Sequence, residues 1–310
     1  MRKNLFMFIM IFALLNFNGC GKKDDSLNIQ NTEVSETAET EAYPLTYVDI
    51  EGRAVEISKK PKKIISLSPA ITENVIVLDG GVHNLIGRTS YCDYPSSALD
   101  VPILVEDMYA PNREIIIEAE PDLVIASGMI DPAEIDYFTQ LGIPVVRIYA
   151  SDDLEECLQT ILDLGLILDQ NEKALDIVEN IKKDVAEIEQ KVSDKKPRVY
   201  YCIDAGEYGD FTATGDTFIS ELINMVGGEN IAQDATNYMY SLEKLIEENP
   251  EIIIIAEKSN LKETLENTEG YKDLDAVKNG KIISIDTDPI DRAGVRLGEG
   301  LKILYDAINQ

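Results

Sequence analysis

The chain has 310 residues, with 28 Lys and Arg against 57 Asp and Glu, one histidine and a formal net charge of −29. That balance excludes nucleic acid, whose phosphates demand cations, and gives anionic lipid no electrostatic hold on the body of the chain. Cys20, Cys92, Cys157 and Cys202 are too widely spaced for a zinc knuckle or a disulfide framework, so no side-chain metal centre and no cofactor is expected.

Arg2 and Lys3 precede an uncharged apolar run from Leu5 to Leu15, and Asn16-Phe17-Asn18-Gly19-Cys20 follows. A basic start, a short apolar stretch and a small residue before a cleavage point constitute a secretory signal. The run falls short of the ~20 residues that crossing a bilayer requires. Gly19-Cys20 has the form of a lipobox, although Phe17 stands where an aliphatic residue is usual. Cys20 is therefore expected to carry lipid and to become the mature N-terminus. From Gly21 to Pro44 the sequence is polar and of low complexity, and cannot bury enough surface to offset its ordering entropy. It reads as a tether.

Tyr47-Val48-Asp49-Ile50 and Ala54-Val55-Glu56-Ile57 flank Glu51-Gly52-Arg53, which predicts a hairpin. Lys63 to Leu67 predicts a strand. Pro69 then opens a helix, where a missing donor costs nothing, and Gly80-Gly81 ends it. Apolar runs at Leu123–Ala126 and Val145–Ile148 alternate with helical stretches, which favours a parallel sheet covered by helices. From Asn171 to Asp194, Ala174, Ile177, Val178, Ile181, Val185, Ile188 and Val192 recur at three- and four-residue intervals without Gly or Pro. This predicts one amphipathic helix about 36 Å long. Alternation then resumes with strands at Val199–Ile203, Ile252–Ile255 and Ile282–Ile285, a helix at Asp216–Val226 and a last helix to Ile308.

The halves echo each other. Glu114 to Ile125 aligns without gaps on Glu243 to Ile254, each a short helix, a Pro, an acidic residue and an apolar strand. Two related α/β lobes on either side of one helix would leave a ligand cleft between them. Catalytic signatures are missing: no Gly-x-Gly-x-x-Gly after a strand, no phosphate loop and no Gly-x-Ser-x-Gly elbow. His83 lies between a helix end and a strand, where a surface position is the ordinary outcome and an axial haem contact the alternative.

Lys63-Ile-Ile-Ser66-Leu-Ser-Pro69-Ala-Ile-Thr72-Glu73 resembles the opening strand and helix of the iron-chelate and cobalamin solute-binding proteins of ABC importers. Ile86 to Pro95, Pro111-Asn112-Arg113-Glu114, Glu120 to Val124 and Asp291 to Leu297 are similar to later motifs of that family, in the same order, with Val295 replacing a common Pro. The resemblance implies an α/β fold of two Rossmann-like lobes with parallel sheets, joined by one long backbone helix. The organisation is then a signal peptide at 1–19, a lipid-anchored tether at 20–44, lobes at 45–168 and 196–310, and a linking helix at 169–195. It also implies that Glu114 and Glu243, one per lobe, meet arginines of the permease, although a glutamate near a helix N-terminus also simply complements the dipole.

Ligand contacts are expected from Tyr91, Asp93, Tyr94, Tyr109 and Arg292. The loop Thr89 to Pro95 is closest to the corrinoid branch, yet that branch packs tryptophans on the ring and this chain has none. Tyrosines at 91, 94, 109, 149, 208, 238 and 240 could supply aromatic faces instead, and Arg88 and Arg292 could pair with carboxylates of a siderophore or haem or lie at the surface. The expected partners are an ABC permease with its ATPase, a metal chelate and a membrane reached through lipid, without catalysis. An envelope enzyme on the same framework, or a chelate sensor without transport, stands as the alternative.

Overall fold

The computed structural model describes residues 42–106, 111–128, 130–148, 153–206 and 210–310. The secretory signal, Cys20, the tether as far as residue 41, and Tyr109, Tyr149 and Tyr208 lie outside the described residues. Residues 41–310 form one compact unit.

The chain enters through a hairpin of β1 (Leu45–Val48) and β2 (Ala54–Ile57), with Tyr47 opposite Val55. The first lobe continues with β3 (Ile64–Ser66), α1 (Pro69–Asp79), β4 (Leu85–Thr89), β5 (Ile103–Val105), α2 (Arg113–Ala119), β6 (Leu123–Ala126), α3 (Pro132–Gln140) and β7 (Val145–Arg147). Its five strands are parallel in the order β5-β4-β3-β6-β7. The chain signals act as expected at α1. The Ser68 hydroxyl accepts from the Ile71 N–H, Pro69 fills the first turn, and Gly80 closes the helix at φ 74°, where a side chain would be strained.

Two helices, α4 (Leu154–Ile167) and α5 (Asn171–Glu189), lead out of this sheet. The backbone helix α5 has 19 residues, about 28 Å, and stops short of the expected 169–195 span. Its last turn tightens, with the Lys191 N–H donating to the Ile188 carbonyl, and Val192 is drawn against Gly227, where a Cβ would lie only 2.8 Å from it. Val192 thus packs, half-buried, against the second lobe beyond the end of the helix, although the sequence periodicity runs on.

The second lobe comprises β8 (Arg198–Asp204), β9 (Asp210–Thr212), α6 (Phe218–Met225), β10 (Glu229–Asn230), β11 (Met239–Tyr240), α7 (Leu242–Glu248), β12 (Ile252–Ala256), α8 (Leu261–Asn267), α9 (Asp275–Lys278), β13 (Ile282–Ile285), α10 (Asp288–Asp291) and α11 (Leu297–Ile308). The strand order is β11-β9-β8-β12-β13, with β10 also beside β8. β8, β10, β12 and β13 are parallel, and β9 and β11 extend the sheet antiparallel at one edge.

Strand periodicity decides which side chains go where. Val199, Tyr201, Ile252 and Ile254 face one apolar cluster; Tyr200, Cys202, Ile253 and Ile255 face another. The larger cluster is continuous through both lobes. It joins Ile71 and Val75 of α1, Ile161 and Leu164 of α4, Val178 and Ile181 of α5, Leu222 of α6, and Leu297, Leu301 and Leu304 of α11. α5 packs against both α4 and α11, and the Leu154 N–H donates across the lobes to Glu221 at 3.0 Å. The lobes share an interior as well as a connecting helix.

Candidate functional site

Parallel strands gather their carboxyl ends on one rim of each sheet, and open α/β sheets hold ligands there. On the first lobe that rim carries the start of α1 and the loop after β4, with Tyr91, Asp93 and Tyr94. On the second it carries Lys258 after β12 and the segment from Asp286 to Arg296 after β13. The two rims meet. Arg292 Nη1 lies 2.7 Å from Glu73 Oε1 and 2.7 Å from Asp93 Oδ1. Arg296 grips Glu73 through Nε at 2.7 Å and Nη2 at 2.9 Å, and the Val295 N–H donates to Asn74 Oδ1 at 2.9 Å. The Arg296 guanidinium also stacks 3.8 Å from the centre of the Tyr94 ring.

The loop that presents these groups is pinned from beneath. Cys92 is buried, its Sγ 3.1 Å from the hydroxyls of both Thr72 and Thr89. Its neighbours are turned outward: Tyr91 is 61% exposed and Tyr94 39%. Cys92 thus serves as packing under the rim. Cys157 and Cys202 are buried as well, and burial pushes both thiols up to about 12.

Charge on the rim is matched nearly group for group. Asp288 accepts from Lys258 at 2.7 Å and lies 3.4 Å from Arg292 Nη2. Burial opposes the charge on Asp93, but the hydrogen bond and charge of Arg292 outweigh it and hold the carboxyl below its ordinary value. Burial opposes the charge on Arg292 too, and its carboxylates reverse the effect and raise its pKa. Asp291, behind the rim, accepts from the Tyr201 hydroxyl at 2.8 Å; burial nevertheless raises its pKa.

Asp93, Tyr94 and Arg292 are therefore brought together across the lobes, with Tyr91 exposed on the same loop. Glu73 and Arg296, which the sequence reading left out of the site, sit at its centre. The available signal was Glu73 itself: a carboxylate amid the buried positions of α1 needs a cation to match it. Arg88 does not reach the rim. It is 4% exposed, and it donates through Nε to the Val101 carbonyl and through Nη1 to the Thr89 carbonyl, both at 2.9 Å, so its donors serve the fold. Tyr240 is likewise a core residue, buried with its hydroxyl on the Ile231 carbonyl. His83 is exposed at the amino end of β4, the end away from the rim.

The sequence echo is a backbone echo as well. α2 and α7 have seven residues each, capped by Asn112 and Ser241 side chains, with exposed Glu114 and Glu243 in their first turns. Both close on a left-handed non-glycine residue immediately before a proline: Glu120 at φ 48° and Asn249 at φ 44°. α2 follows the carboxyl end of β5, and α7 follows Tyr240, which lies opposite Asp210 beside the end of β8. Both glutamates thus lie toward the same end of the molecule as the rims.

Among the described residues no helix is long and apolar enough to cross a membrane, and no cluster of three or more His, Cys, Asp or Glu could hold a metal ion. The profile of the periplasmic binding protein family matches residues 64–289. The ABC transporter substrate-binding lipoprotein YvrC of Bacillus subtilis (strain 168), itself uncharacterized, is 30% identical over 308 residues, 96% of this chain and 95% of that one. The vitamin B12-binding protein of Photorhabdus laumondii is 29% identical over 241 residues, 76% of this chain and 84% of that one. The solved structure of a possible iron-binding (periplasmic solute-binding) protein of Staphylococcus epidermidis is 28% identical, with a TM-score of 0.68, covering 81% of this chain and 100% of that one.

Proposed function

Since the chain belongs to the periplasmic binding protein family, we propose that it is the extracytoplasmic receptor of an ABC importer, catching a metal chelate between its lobes for delivery to the permease. It binds without turnover, and the transporter's ATPase supplies the work. The observation that carries this reading is the convergence of Tyr91, Asp93 and Tyr94 with Arg292 where the strand ends of the two lobes meet. Exposed aromatic faces bearing hydroxyls suit a large, planar, amphipathic ligand. Tyr109 joins the set from its place in the sequence.

A corrinoid is the first choice of chelate. The relative from Photorhabdus laumondii is named for vitamin B12, and tyrosines here stand in for the tryptophans of that branch. A ferric chelate is the second reading, favoured by the likeness to the Staphylococcus epidermidis protein. Glu114 and Glu243 are the docking charges toward the permease, and Cys20 carries the lipid that keeps the receptor near it. The name of the Bacillus subtilis relative, a lipoprotein of an ABC transporter, supports the lipid anchor and a permease as partner.

The test is a thermal-shift and calorimetric panel on the mature chain with cyanocobalamin, haemin and ferric citrate. Ligand at a hundredfold excess over Kd stabilises a receptor by about 2.7 kcal/mol, so cyanocobalamin is expected to raise the melting temperature measurably. Absence of a shift with all three refutes the chelate reading.

A further inference from the structure

Glu73 is 3% exposed, yet it holds two cations. Its Oε1 accepts from Arg292 Nη1 and Arg296 Nη2, and its Oε2 from Arg296 Nε. One carboxylate of the first lobe thus engages two guanidiniums of the second. Asp93 and Asp288 flank Arg292, and Asp288 also takes Lys258. Lys258, Arg292 and Arg296, the cations at the meeting of the two rims, are each held by a carboxylate.

We propose that Glu73 and Asp93 together set charge selectivity: Glu73 engages Arg292 and Arg296 from within and Asp93 covers Arg292 from the outer side, leaving the ligand face with no free positive fork, so the receptor accepts neutral or cationic chelates and rejects anionic ones. This rests on the reading of the interlobe rim as the chelate site. The chemistry is direct. A guanidinium fork matches a carboxylate in two parallel hydrogen bonds, and Arg292 with Arg296 would form a ready seat for a polycarboxylate if their own carboxylates were absent. Asp93, with a side chain 46% exposed, is the outer guard of that seat, and Glu73, with a side chain 4% exposed, is the inner one. A strut that merely held the lobes together would, on removal, weaken every ligand alike. A selectivity residue moves neutral and anionic ligands in opposite directions.

The experiment titrates the mature wild-type chain, Glu73→Gln and Asp93→Asn with cyanocobalamin, which is neutral, and with ferric citrate, which is anionic. Wild type is expected to take cyanocobalamin and leave ferric citrate. In each variant the ratio of the ferric citrate Kd to the cyanocobalamin Kd should fall at least about tenfold, with ferric citrate binding more tightly in absolute terms. Such a gain cannot come from misfolding. If Glu73→Gln does not fold, Asp93→Asn at its half-exposed site still gives the answer. An unchanged or rising ratio overturns the proposal. Wild type that prefers ferric citrate, or that binds haemin with its anionic propionates and not cyanocobalamin, overturns it while leaving the chelate reading intact, and wild type that binds none of the three overturns both.

Discussion

Gly294 stands where α1 of the first lobe meets the segment leading into α11 of the second, and replacing it with alanine tests how tightly the lobes are joined. A Cβ there would lie 2.5 Å from Asn74 Oδ1 and 3.1 Å from both Asn74 Nδ2 and the Arg292 carbonyl oxygen. Gly294 is not in the left-handed region, so the clash alone carries the effect. Asn74 is 1% exposed and uses its Oδ1 to hold the Val295 N–H. Admitting a methyl must push Asn74 aside or part the lobes. Leaving buried polar groups unmatched costs about 1–3 kcal/mol, and overpacking costs about 1–3 kcal/mol. Gly294→Ala should therefore lose about 2–6 kcal/mol in chemical denaturation of the mature chain. Adding Asn74→Ala removes the obstacle, so the double variant should be no less stable than Asn74→Ala alone, a coupling that the double-mutant cycle reads directly. A loss under about 0.5 kcal/mol for Gly294→Ala, within the scatter of ordinary surface changes, would refute the tight joint.

Cys20→Ser should release the protein from the membrane or stall its processing; fractionation showing membrane association and precursor cleavage both unchanged removes the lipid anchor. Glu114→Ala with Glu243→Ala should impair uptake in cells while calorimetry finds ligand affinity nearly unchanged, since paired charges steer docking; a collapse of affinity moves both into the ligand face. Small-angle scattering with and without ligand should show little change in radius of gyration, because the lobes share a core and a stiff helix. Finally, Asp93 has a folded-state pKa below its unfolded value. Its pairing therefore stabilises the fold above the ordinary aspartate value near pH 4, and that stability is lost as pH falls through the folded value. Asp93→Asn should flatten the acid limb of the melting curve measured against pH, and an unaltered limb would count against the Arg292 pairing.

Much of the fold was legible because it rests on local chemistry. Pro69 and Gly80 bound α1 as their backbone preferences require, and the β-branched run Ile282–Ile285 is β13 without a residue's shift. The end of α5 was not legible, since Val192 keeps the helical period while its packing partner, Gly227, is 35 residues further on. At the site, Asp93, Tyr94 and Arg292 could be singled out from their motifs. The centrality of Glu73 and Arg296 could not, because their meaning lies in a contact across 223 residues of chain. Arg88 shows the opposite error. A ligand contact and a surface position were the two readings open to it, and nothing local announced that the Val101 and Thr89 carbonyls would claim its donors.

The apolar cluster that runs from α1 through α4 and α5 to α11 has a consequence for how this receptor comes apart. Two lobes with separate interiors would unfold as independent units, each with its own transition. Here Ile71 and Val75 belong to the same interior as Leu297 and Leu301, so melting either half strips cover from the other. The expected behaviour is one concerted transition on every probe, and a chain cut between α4 and α5 should give fragments that fold only on recombination. The joints repeated at α2 and α7 thus belong to lobes that each keep a smaller apolar cluster of their own, while the larger interior is held in common.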